Sequence, residues 1–155
     1  MGYSIMDLMD NFISIEKLGY ERFLMLADSK AADVKVKTLA RVFAAQEMQH
    51  IEKYNYIKQE MMDDKEEEID FDVYDKAVKF INDFNNSFIN ISVENTKEFL
   101  KACLNFEKEN LALATFVQGL FVRTKKDVTS TKYKLMTEII NEEQKHVENI
   151  EIFLK

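Results

Sequence analysis

Across its 155 residues the chain holds no proline and only three glycines. Proline removes a backbone donor and collides with the preceding helical turn, and glycine costs about 1 kcal/mol against alanine inside a helix. A chain so poor in both is suited to long, uninterrupted helices. Its apolar residues recur three and four positions apart, the spacing of one helix face. Four helices are predicted, over approximately 4–29, 33–62, 95–122 and 129–154.

The first stripe is Ile5, Leu8, Met9, Phe12, Ile13, Tyr20, Phe23, Leu24 and Ala27, with Ser4 and Asp7 placed to cap its start. The second begins near Asp33 and carries Leu39, Ala40, Phe43, Ala44, Ile51, Tyr54, Ile57 and Met61. The third begins near Asn95, with Glu98 as a capping-box partner, and carries Leu100, Cys103, Leu104, Leu111 and Ala114. The fourth carries Leu135, Met136, Ile139, Ile140, Val147, Ile150, Phe153 and Leu154. Between the second and third lie the acidic run Asp63–Glu68, read as a solvated loop, a segment over 72–86 suited to a short helix, and a polar stretch, Asn85–Asn95. Arg123–Thr131 reads as a turn. The expectation is an all-α single domain over 1–155, a four-helix bundle of two helical hairpins joined by a long crossover of roughly 30 residues.

The net charge of −7 gives no basic footprint for nucleic acid. One cysteine, Cys103, excludes an internal disulfide and a Cys-x-x-Cys knuckle. No run reaches the roughly 18 apolar residues of a membrane span, and acids stand near the N-terminus where a signal peptide carries bases. A cytoplasmic location with no membrane partner is expected.

Chemistry is concentrated in the polar exceptions to the stripes. Glu47 and His50 fall between Ala44 and Ile51; Glu143 and His146 fall between Ile140 and Val147. Glu16 lies one turn from Phe12 and Tyr20, and Glu107 one turn from Cys103 and Leu111. All six are therefore expected in the core. Glu142 competes with Glu143 and Glu109 with Glu107; the apolar phase favours Glu143 and Glu107. Both histidines of the chain follow a glutamate by three residues, and both upstream glutamates precede lysine (Glu16-Lys17, Glu107-Lys108). Glu16 and Glu47 are 31 positions apart, Glu107 and Glu143 36. The pattern reads as a duplicated hairpin, each half giving Glu … Glu-x-x-His. Buried carboxylates repel one another and cost several kcal/mol each when uncompensated. Two divalent cations, held by the carboxylates and neutral imidazoles, answer both costs.

In the stretches SIEKLGYERFLMLA, LARVFAAQEMQH, LKACLNFEKENLALATF and MTEIINEEQKH the sequence resembles rubrerythrin-like members of the ferritin-like superfamily. The resemblance implies a ferritin-like bundle holding two iron ions, with manganese or zinc as substitutes. It implies an oxidoreductase that reduces hydrogen peroxide or O2. Ferroxidase or iron storage and sequestration is the alternative, and a metal-free helical interaction module a third reading. Glu107 and Glu143 are expected to bridge the metals, with Glu16 and Glu47 terminal and His50 and His146 holding one metal each. A homodimer is expected from the habit of the family. There are two departures. Rubrerythrins carry a four-cysteine rubredoxin domain that this sequence lacks, so electrons are expected from a separate rubredoxin-like donor. They also place a further glutamate three residues after the third-helix Glu, where this chain has Asn110. Tyr20 and Tyr54, one turn from Glu16 and His50, and Asn110 and Gln118 are candidate hydrogen-bond partners of the ligands.

Overall fold

The computed structural model describes residues 3–61, 68–86 and 95–155. Five α-helices account for most of them: α1 (Ile5–Ala27), α2 (Val34–Met61), α3 (Phe71–Asn86), α4 (Thr96–Leu120) and α5 (Thr131–Leu154). A short 3₁₀ turn, Lys125–Thr129, joins α4 to α5, where the sequence predicts a turn. The four long helices fall within a few residues of expectation, and 72–86 is helical. The side chain of Met61, Met62, positions 63–67 of the acidic run and positions 87–94 lie outside the described residues.

Local chemistry sets the helix ends. Ser4 accepts from the Asp7 backbone N–H while Asp7 reaches back to the Ser4 N–H, closing a capping box on α1. Asn95 caps α4 by accepting from the N–H groups of Lys97 and Glu98. The reciprocal bond expected of Glu98 is not among the described contacts; its carboxylate pairs with Lys101 at 3.7 Å instead. Ser130 caps α5. Two two-residue strands, β1 (Tyr3–Ser4) and β2 (Glu68–Ile69), pair antiparallel and are unannounced by the sequence. Tyr3 stacks on Tyr74 at 3.9 Å, so the start of the crossover is fastened to the start of α1.

Helix directions follow from the pairs that touch. Between α1 and α2 these are Asp10 with Lys58, Glu16 with His50, and Phe23 with Phe43, an antiparallel hairpin. Between α4 and α5 they are Gln118 with Thr137 and Lys108 with Glu151, a second one. Across the hairpins, α2 opposes α5 (Tyr54 with Glu143, Phe43 with Phe153) and α1 opposes α4 (Glu16 with Asn110, Phe23 with Phe99). Helices α2 and α4 therefore run in the same direction. The chain leaving α2 must travel back along the bundle before α4 can begin. Helix α3 makes that journey, covering about 24 Å at 1.5 Å per residue. It buries Val73, Ala77, Ile81 and Phe84, the last against Phe106 at 5.1 Å.

The core divides in two. One apolar cluster gathers Leu8, Phe12, Tyr54, Ile81, Phe106, Val117 and Met136, among others; the second gathers Phe23, Ala40, Phe43, Phe99, Cys103 and Ile150. Leu24 and Phe153, expected in the stripes, are exposed, and Tyr20, Leu39, Leu104, Leu111, Ile140 and Leu154 are half-buried. Phe43 is in ring contact with α1, α4 and α5 together. Phe43→Ala is expected to destabilise the fold by about 3–5 kcal/mol. Urea unfolding measures this; a loss under about 1 kcal/mol would contradict so central a place.

Candidate metal centre

Among the described residues, the buried polar side chains are Glu16, Glu47, His50, Glu107, Asn110, Glu143 and His146. Six of these are the six expected site residues, and the structure brings all six together. Both competitors fall outside. Glu109 is exposed and accepts from Asn105; Glu142 is tied to Lys53 and Lys145 at the surface.

The two hairpins supply matching halves. His50 Nδ1 lies 3.2 Å from Glu16 of its own hairpin and 3.8 Å from Glu143 of the other. His146 Nδ1 lies 3.2 Å from Glu107 of its own hairpin and 3.3 Å from Glu47 of the other. The two rings meet edge to face at 4.8 Å. Three groups place ligand atoms within 4.8 Å of one another: Glu16, His50 and Glu143; Glu107, Glu143 and His146; and Glu47, His50 and His146. Glu143 belongs to both halves, and Glu47 sits with both histidines. Glu107 faces only the His146 half, so Glu47, rather than the expected Glu107, stands beside Glu143 between the halves. Which carboxylate is central depends on rotamers, and the spacing of glutamates does not encode it.

Of these contacts, only that of His50 Nδ1 with Glu16 Oε2 is a hydrogen bond. Glu47 Oε1, both Glu107 oxygens, Glu143 Oε2 and both His146 nitrogens are buried without a hydrogen-bond partner. Buried polar atoms rarely remain so. Carboxylate oxygens and imidazole nitrogens converging in this way fit a cation. The buried Glu and His groups could hold a metal ion.

Burial, and then the charges of Glu16 and Glu107, push the Glu47 and Glu143 carboxyls well above their usual range. Burial acts on Glu16 in the same sense, but hydrogen bonding to Glu47, His50 and Glu143 outweighs it and lowers Glu16. Burial works to lower His146, yet the Glu107 carboxylate wins and raises it. The metal-free cluster thus shares few charges and retains protons.

Neighbours hold the cluster in place. The Tyr54 hydroxyl donates to Glu143 Oε1 at 2.7 Å; burial first, and then the nearby carboxylates, keep the phenol protonated. Asn110 donates to Glu16 Oε1 at 3.3 Å. Gln118 instead joins α4 to α5 through Tyr133 and Thr137, and Tyr20 packs half-buried against both apolar clusters. Burial and Glu107 raise Cys103, which stays a thiol. Sequence reasoning missed Gly19. A methyl group there would meet Glu47 Oε2 at 3.3 Å, so the glycine makes room for that carboxylate. A glycine at mid-helix, one turn from Glu16, is its trace in the sequence.

Comparison with family models, curated proteins and solved structures returns no match.

Two predictions follow from this geometry. Glu47, Glu143 and His146 bind protons more tightly folded than unfolded, so their stabilisation is present at acid pH. It is lost as pH rises above 4.5 for the glutamates and 6.5 for the histidine. The lowered Glu16 acts oppositely, but only as pH falls below 4.5. The metal-free chain should melt lower at about pH 8 than at about pH 5.5. The rise in melting temperature on adding Mn²⁺ should grow over that interval, because metal displaces those protons; a rise that shrinks would contradict the assignment. Gly19→Ala should weaken Mn²⁺ binding roughly tenfold by crowding Glu47, with metal-free stability within about 1 kcal/mol of the parent. Titration calorimetry and unfolding curves read the two quantities separately, and unchanged affinity would show that Glu47 needs no such room.

Proposed function

We propose that the chain is a ferritin-like di-iron or di-manganese carboxylate protein of the rubrerythrin-like kind. In this reading it is an oxidoreductase that reduces hydrogen peroxide or O2 with electrons from a separate donor. The observation that carries the reading is the pair of matching half-sites, one per hairpin, whose oxygens and nitrogens converge, six of them without hydrogen-bond partners. Glu16 and His50 would hold one metal, Glu107 and His146 the other, and Glu47 and Glu143 would lie between them. A reduced iron pair held there would supply two electrons which, with two protons, would convert hydrogen peroxide to two waters, and the donor would restore them.

The chain's own groups have assigned work in this scheme. Tyr54 orients Glu143 through its hydroxyl. Asn110 holds one Glu16 oxygen, leaving the other toward His50. The apolar clusters on either side keep bulk water out and strengthen each charge interaction within. A rubredoxin-like donor and pairing of two copies belong to the same proposal.

One observation favours a second reading, ferroxidase activity serving iron storage or sequestration. Asn110 is neutral where rubrerythrins have a further carboxylate, so the ligand exchange of peroxide-reducing sites lacks its second partner. Anaerobic titration with Fe²⁺ should saturate at about two ions per chain. Mixing that form with peroxide should oxidise the iron faster than free Fe²⁺ in stopped flow. Retention of many irons per chain would favour storage. No rate advantage would remove the oxidoreductase reading.

A further inference from the structure

Five of the six clustered side chains are at most 2% exposed; His50, at 8%, is the opening in the shell. It faces a cleft of about 290 Å³ between α2 and α5, lined by Gln46, Gln49, Lys53, Glu142, Lys145 and Asn149 over His50 and His146. Every residue of that lining carries a polar group, which suits hydrated or hydrogen-bonding solutes. Across the mouth runs an ion-pair chain in which Lys53 and Lys145 both hold Glu142, the second at 3.1 Å. Two lysines against one glutamate leave the mouth net positive. A larger cleft of about 690 Å³ continues along α2 and α5 and shares these three residues.

We infer that this cleft is the access port of the centre, and that Lys53, Glu142 and Lys145 form its gate, admitting small neutral or anionic hydrogen-bonding solutes and holding back divalent cations. The selectivity rests on the proposed metal reading; the port itself does not. A positive mouth over a narrow, partly desolvated passage repels cations and steers anions, an effect that salt screens. Lys53 and Lys145 are thus specificity-determining residues at the mouth of the cleft, and Glu142 positions them.

Two experiments separate port from selectivity. In the metal-free full chain, diethyl pyrocarbonate should modify His50, read by peptide mass spectrometry. Asn149→Trp should slow that modification at least roughly tenfold by filling the cleft; Gln49→Trp, from the facing helix, serves if the first variant does not fold. Equal rates in a folded variant would overturn the port. For the gate, Co²⁺ uptake by the metal-free chain is followed by its visible absorbance. Lys53→Gln with Lys145→Gln turns the mouth net negative and should accelerate uptake roughly tenfold at low salt, with the gain shrinking near 1 M salt. An unchanged rate would overturn the gate while leaving the metal reading intact. A parent chain that takes up no Co²⁺ would overturn the metal reading and the selectivity together, and the His50 modification would still decide the port.

Discussion

Four carboxyl groups buried among two imidazoles govern everything else in this molecule. Like charges about 4 Å apart repel by about 4 kcal/mol even at an effective dielectric of 20. The cluster contains several such pairs, with each of its four glutamates at 2% exposure or below. Without a cation, it answers by retaining protons on Glu47 and Glu143 and leaving Glu16 to carry charge. That state is tolerable rather than comfortable: six buried ligand atoms still lack hydrogen-bond partners. A core of this size could satisfy them with asparagine or serine. It keeps carboxylates, which binds the purpose of the site to positive charge.

The fold can be read as the scaffold such a cluster requires. Each hairpin brings one glutamate and one Glu-x-x-His pair, so neither hairpin completes a site alone. Each histidine touches its own hairpin at 3.2 Å and the other hairpin only slightly farther away. Docking of the hairpins is therefore coupled to the chemistry of the cluster. The apolar clusters at either end supply the packing energy that holds the carboxyls together. The parallel course of α2 and α4 forces the crossover, and α3 turns that necessity into further burial against α1 and α4.

Much of this was legible because a charge on an apolar stripe is conspicuous. Glu16, Glu47, His50, Glu107, Glu143 and His146 each interrupt a helical phase, and that phase separated Glu143 from Glu142 and Glu107 from Glu109. Phase is also where the reading ran out. Phe23 and Leu24 are 100° apart on α1, so both cannot face the core equally, and the aromatic contact with Phe43 settles it for Phe23. The β1–β2 pairing joins residues too few and too far apart in sequence to leave a pattern. The central place of Glu47 and the hydroxyl bond from Tyr54 to Glu143 depend on side-chain torsions. Gly19 acts through the absence of a side chain, which periodicity does not register.

Charge balance links the cluster to its surface. Four ionised carboxylates match two divalent cations, so on the proposed reading the loaded, reduced site is neutral in its dry core. Removing one electron from each metal adds two positive charges. Rubrerythrins have a fifth carboxylate to turn toward that charge; Asn110 is neutral and already engaged with Glu16. The compensation then comes from the hydroxide that reduction of peroxide yields, from other anions reaching the site, or from loss of a proton by a neighbour such as the Tyr54 phenol. Burial and the surrounding carboxylates oppose loss of that proton. Anions remain the lower-cost source, and the lysine-flanked cleft beside His50 is where the described structure lets them approach. On that same reading, an asparagine where rubrerythrins have a carboxylate makes the composition of the port part of the site's redox chemistry.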